Sequence, residues 1–107
     1  MDGERVYIAL TAPEDSVEAI LDAIAAAGGG IIGEYTHCAF TCRGTGYFKP
    51  SADANPHVGA RQALNAVDEI RIETFAPRER ASAVVQAIRA AHPYEEPVIY
   101  VLPLLAV

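Results

Sequence analysis

Val67-Asp68-Glu69-Ile70-Arg71-Ile72-Glu73-Thr74-Phe75-Ala76-Pro77 is the stretch from which the fold can be read. Ile70 and Ile72 fall on one side of an extended chain, and Glu69, Arg71 and Glu73 on the other. That two-residue period is the mark of a strand with one buried face. It predicts a strand over Val67–Phe75. Pro77 then opens a helix, in which Ala81, Val84, Val85, Ile88 and Ala91 make a single apolar stripe. His92 falls in the last turn of that helix, where the negative end of the helix dipole favours a cation. A final strand is expected over Glu96–Leu104.

The N-terminal half repeats this order. Arg5–Thr11 alternates, with Val6, Ile8 and Leu10 on one side and Tyr7 and Ala9 on the other. Pro13-Glu14-Asp15-Ser16 is an acidic, proline-initiated helix start. Val17, Ile20, Leu21 and Ile24 then keep helical spacing until Gly28, which suits a left-handed cap. Ile31–Thr41, rich in β-branched and aromatic residues, predicts a second strand. Arg43–Pro50 reads as a turn with a short extended piece, and Ser51–Gly59 as a polar loop broken at Asn55-Pro56.

The resulting order is β-α-β-insert-β-α-β. Two strand-helix-strand halves predict an α+β, ferredoxin-like βαββαβ sandwich with an extended insert between strands 2 and 3. Each helix has one apolar stripe, so both cover the same sheet face. The other face, carrying Tyr7, Ala9, Glu69, Arg71 and Glu73, is left to solvent or to a partner subunit.

Composition narrows the function. A chain of 107 residues is one domain by size, and 51% apolar with 21% charged residues is a globular composition. A net charge of −6 disfavours nucleic acid and anionic membrane surfaces as partners. No apolar run approaches the roughly 18 residues of a membrane span, and the first residues lack a signal pattern, so a cytoplasmic location is expected. Cys38 and Cys42, placed on one strand, would lie about 13 Å apart along it. They are expected as two unbridged, buried or half-buried thiols. His37 would point to the opposite face, so the three do not make a zinc site.

His92-Pro93-Tyr94-Glu95-Glu96-Pro97 is the candidate site. Two prolines stiffen a connection that carries an imidazole, a phenol and two carboxylates. His92, Glu95 and Glu96 are candidate ligands for a divalent metal ion. The plain alternative is that His92 caps the helix and a glutamate answers it electrostatically. Tyr94 joins them as a ligand-binding residue. Tyr35 and the Gly44-Thr45-Gly46-Tyr47-Phe48 segment are the candidate opposing wall, with Gly44 and Gly46 allowing close backbone approach and Phe48 a contact. That segment lacks the lysine of a phosphate-binding loop and the third glycine of a dinucleotide fingerprint.

The candidate segment resembles the signature of the small domain inserted in Nif-three-like proteins. The likeness continues through Gly33-Glu34-Tyr35-Thr36-His37-Cys38-Ala39-Phe40, Gly44–Pro50 and Ala54-Asn55-Pro56-His57-Val58-Gly59, in the same order. The His-Pro-Tyr-Glu-x-Pro portion is also similar to the C-terminal motif of CutA divalent-cation tolerance proteins. Both resemblances imply a CutA/PII-like fold and a homo-oligomer, a trimer built by packing open sheet faces. The two-metal centre and hydrolase activity of the larger proteins belong to flanking segments and are not carried over. The expectation is a non-enzymatic binding or regulatory module, taking a small ligand or divalent cation at a cleft between subunits. A small metal-dependent hydrolase or hydrolase subunit, and a purely structural oligomerisation module, are the alternatives.

Overall fold

The computed structural model describes residues 4–107. Its elements in chain order are β1 (Arg5–Ala12), α1 (Val17–Ala26), β2 (Phe40–Phe48), β3 (Asn65–Pro77), α2 (Ala81–Ala91) and β4 (Ile99–Pro103). The four strands form one sheet in the order β2-β3-β1-β4, with every neighbouring pair antiparallel. This is the ferredoxin-like α+β architecture that the periodicity predicts.

Both helices start the same way. Pro13 and Pro77 sit extended at φ −60° and −58°, and each leads into one 3-10 turn before the α-helix. Proline's fixed φ suits that entry, and its missing N–H is one that a helix start leaves unpaired anyway. Gly28, at φ +98°, ends α1 where a side chain would be strained. Ile20 and Ile24 of α1 and Val84 and Ile88 of α2 press on one sheet face. They meet Val6, Ile8, Leu10 and Ala12 of β1 and Ile70, Ile72 and Ala76 of β3. The core is therefore built on the two central strands, and the edge strands β2 and β4 stay largely exposed.

The second strand lies nine residues later than the composition suggests. Residues 31–39 form a protruding loop, closed by reciprocal bonds between Ile32 and Tyr35 across a two-residue turn. Gly33 in that turn has φ +54° and His37 has φ +60°, so the extended period is interrupted twice. The Gly44–Phe48 segment is regular strand, not a turn. Cys38 and Cys42 are consequently not on one strand: Cys38 is half-buried in the loop, while Cys42 lies on β2 and is exposed rather than buried. Both are free thiols.

Register explains the elongated outline of 47 × 23 × 21 Å. β1 pairs with β3 only from Ile70 to Pro77, whereas β2 pairs with β3 along Asn65–Glu73. The ribbon of residues 44–48 and 65–69 therefore overhangs the body of the sheet. No helix among the described residues is long and apolar enough to cross a membrane.

Candidate functional site

Strand alternation places Tyr7, Ala9 and Thr11 of β1, Glu69, Arg71 and Glu73 of β3, and Tyr100 and Leu102 of β4 on the sheet face without helices. Where the overhanging ribbon leaves the body, this face becomes a groove of about 660 Å³. The long loop 49–64 and the segment Tyr94–Val98 form its remaining sides. Aromatic rings (Tyr7, Phe48, Tyr94, Tyr100) and ionisable groups (Lys49, His57, Glu69, Arg71, Glu95, Glu96) share its surface. A concave wall of rings with a few polar groups is the usual form of a small-ligand site.

Each side of the groove is fixed by a specific bond. The Tyr94 hydroxyl donates to Glu69 Oε2 at 2.7 Å, which ties the segment after α2 to the base of the overhanging ribbon. Partial burial, and then the carboxylate beside it, push the Tyr94 phenol above its ordinary range. The backbone N–H of Asn55 donates to Glu95 Oε1 at 3.0 Å, fastening the long loop to the same segment. The Tyr7 hydroxyl donates to Glu73 Oε2 at 2.6 Å, and Arg71 approaches the same carboxylate at 3.4 Å. That hydrogen bond is the main cause of the raised phenol pKa of Tyr7.

Gly46 makes the first of these bonds possible. It lies diagonally across the ladder from Glu69, and a Cβ placed on it would stand 1.7 Å from Glu69 Oε1. Glu69 holds its present rotamer, with one carboxylate oxygen over Gly46 and the other on Tyr94, because position 46 has no side chain to meet it. Gly44 meets no such neighbour, with nothing within 4 Å of a Cβ there, and it does not line the groove.

His92 takes a different place from the one expected. It is the C-terminal cap of α2, extended rather than helical, and only 7% exposed. Its Nε2 lies 2.7 Å from the Thr11 carbonyl oxygen, and its Nδ1 lies 3.1 Å from the Tyr94 backbone nitrogen. The carbonyl can only accept and the amide can only donate, so Nε2 carries the hydrogen and Nδ1 offers its lone pair. As the chain stands, both imidazole nitrogens are engaged by the backbone rather than offered to the groove. Among the described residues no three histidine, cysteine or carboxylate side chains converge as a metal site.

The structure thus brings Gly46, Phe48, Tyr94, Glu95 and Glu96 to one groove and keeps His92 behind its wall. Tyr35, 74% exposed on the 31–39 loop, does not line the groove, and neither does Gly44. Tyr7, His57, Arg71 and above all Glu69 are groove residues that motif reading missed. The alternation of β3 carried the available signal, since it put Glu69 and Arg71 on the open face.

No family model matches the chain. It is 44% identical over 98 residues to the GTP cyclohydrolase 1 type 2 homolog of Listeria monocytogenes, a match covering 91% of this chain and 26% of that protein. The Bacillus subtilis protein of the same name is 40% identical over 97 residues, covering 91% and 26%. Among solved structures, the Bacillus cereus protein related to NIF3 is similar at a TM-score of 0.81 and 36% identity, covering 95% of this chain and 26% of that one. CutA of Archaeoglobus fulgidus, a periplasmic divalent cation tolerance protein, reaches a TM-score of 0.67 at 18% identity, covering 94% and 83%, a likeness of fold alone. The chain spans about a quarter of the length of the curated relatives it matches. It is a relative of one segment of the NIF3-related proteins, and it has the CutA fold.

Proposed function

We propose that this relative of the NIF3 segment is a non-enzymatic binding module that assembles with copies of itself and takes a small ligand in the open-face groove. The observation that carries the reading is the contrast between the two sheet faces. The centre of one is covered by the two helices, while the other holds a preformed groove beside exposed Tyr100, Leu102 and Phe40. Apolar surface of that kind, between two unpaired strand edges, is covered in most proteins by association. The likeness to CutA proteins supports a closed trimer as the form of that association. A cleft between subunits would then lie against the groove.

The lining favours an organic ligand over a bare divalent ion. Rings and apolar side chains surround the carboxylates, and a metal would need further ligands from a second copy. The name of the curated relatives belongs to chains about four times as long, and their activity is no part of this proposal. Native mass spectrometry of freshly purified protein is the test. The expected result is a trimer mass with a retained small molecule, and a shift to monomer in Leu102→Glu. A monomer mass across micromolar concentrations would refute the assembly. A trimer with no added mass, and no binding from a metabolite extract, would refute the ligand.

A further inference from the structure

We infer that His92 is a proton-operated clamp on the groove wall. Thr11 of β1 and Tyr94 of the following segment hold the ring from both sides, and both bonds require the neutral Nε2–H tautomer. A second proton can enter only at Nδ1. There it would set an N–H directly against the N–H of Tyr94, exchanging a hydrogen bond for two opposed donors. The ring is almost completely buried, so the new charge has little access to water. The cheapest relief is for Tyr94 to leave, because Thr11 sits in the sheet ladder and cannot move.

The consequence reaches the groove through Tyr94. Its ring packs on the imidazole at 4.7 Å, and its hydroxyl braces the overhanging ribbon at Glu69. Releasing the amide therefore loosens the brace and one side of the groove together. The ionisable groups about this contact come from each neighbouring element. β3 supplies Glu69, at the far end of the phenol. The long loop supplies His57, whose ring is 6.2 Å from the Tyr94 ring on a separate contact. α2 supplies Arg89 in its last turn, Glu95 and Glu96 follow Tyr94, and β1 presents the Thr11 carbonyl.

This device concerns regulation of the groove proposed above, but its test needs no ligand, so it stands or falls separately. Imidazole nitrogen NMR at neutral pH should show the Nε2–H tautomer for His92, and an Nδ1–H tautomer would overturn the inference. Amide exchange at Tyr94 should rise about tenfold beyond its intrinsic pH dependence as the folded protein is acidified toward the onset of acid unfolding, the weight of one lost hydrogen bond. His92→Asn keeps an acceptor near Nδ1 without titrating, and should remove the rise. His57→Gln should keep it. A flat wild-type profile, or an unchanged rise in His92→Asn, refutes the clamp. If His92→Asn does not fold, the wild-type tautomer and exchange profile still decide.

Discussion

The two faces of β3 differ more than any two parts of this molecule. Toward the helices, Ile72 and Ala76 are completely buried, and Ile70 nearly so. Thr74 on that side places its hydroxyl on the Cys38 carbonyl at 2.7 Å, so even the polar member is satisfied inside the chain. Toward the open side, Glu69, Arg71 and Glu73 bind phenols and one another, and they remain within reach of solvent. The first face is finished by its own chain. The second is held in shape by directional bonds but is not filled, which is what a surface awaiting a ligand or a neighbour requires. One strand can do both because successive residues point in opposite directions.

The sharpest break of this comparison is a truncation on each side. Ile72→Ala should cost roughly 2–5 kcal/mol, through lost burial and the cavity left behind. Leu102→Ala on the open face should cost the isolated chain under about 0.5 kcal/mol. Urea unfolding of both variants at low concentration checks this, and equal losses would show that the open face is also core.

A smaller effect is expected at the brace. Gly46→Ala should force Glu69 away from Tyr94 and cost about 1 kcal/mol, the value of one hydrogen bond. Tyr94→Phe should cost a similar amount, and the double variant no more than either alone, since both remove the same bond. Additive losses in the urea cycle would mean that Gly46 acts by another route.

The smallest effect on stability is an alkaline one. The phenols of Tyr7 and Tyr94 are both raised, Tyr7 chiefly by its bond to Glu73 and Tyr94 chiefly by burial. A raised phenol stabilises the fold fully below its unfolded pKa, and that contribution is lost as pH rises through the higher folded value. Phenolate absorbance should therefore show a late component above the ordinary phenol range of about pH 10, reduced in Tyr94→Phe and in Tyr7→Phe. A titration that is unchanged in both variants would break the assignment of these bonds.

The elements that could be read in advance are those whose residues answer to their own period. β1, β3 and both helices alternate or repeat cleanly, and they lie where the pattern puts them. β2 could not be placed from its own residues. Ile31 and Ile32 favour a strand, yet both end exposed in the 31–39 loop. Gly44 and Gly46 suggest a turn, yet both lie in the ladder against β3. The glycine at 46 serves a side chain 23 positions later, Glu69, and no local pattern carries that requirement.

The element order, the strand faces and the stiff segment that carries the candidate site follow from residue pattern. Those depend on residue types a few positions apart and on proline's fixed geometry. The assembled sheet is what puts His92 behind the wall while Tyr94 faces the groove. That outcome rests on Thr11, which lies 81 positions away and reaches the imidazole only when the sheet has formed. A histidine can ligate, titrate or clamp with the same two nitrogens. The partners brought to those nitrogens by folding select among the three.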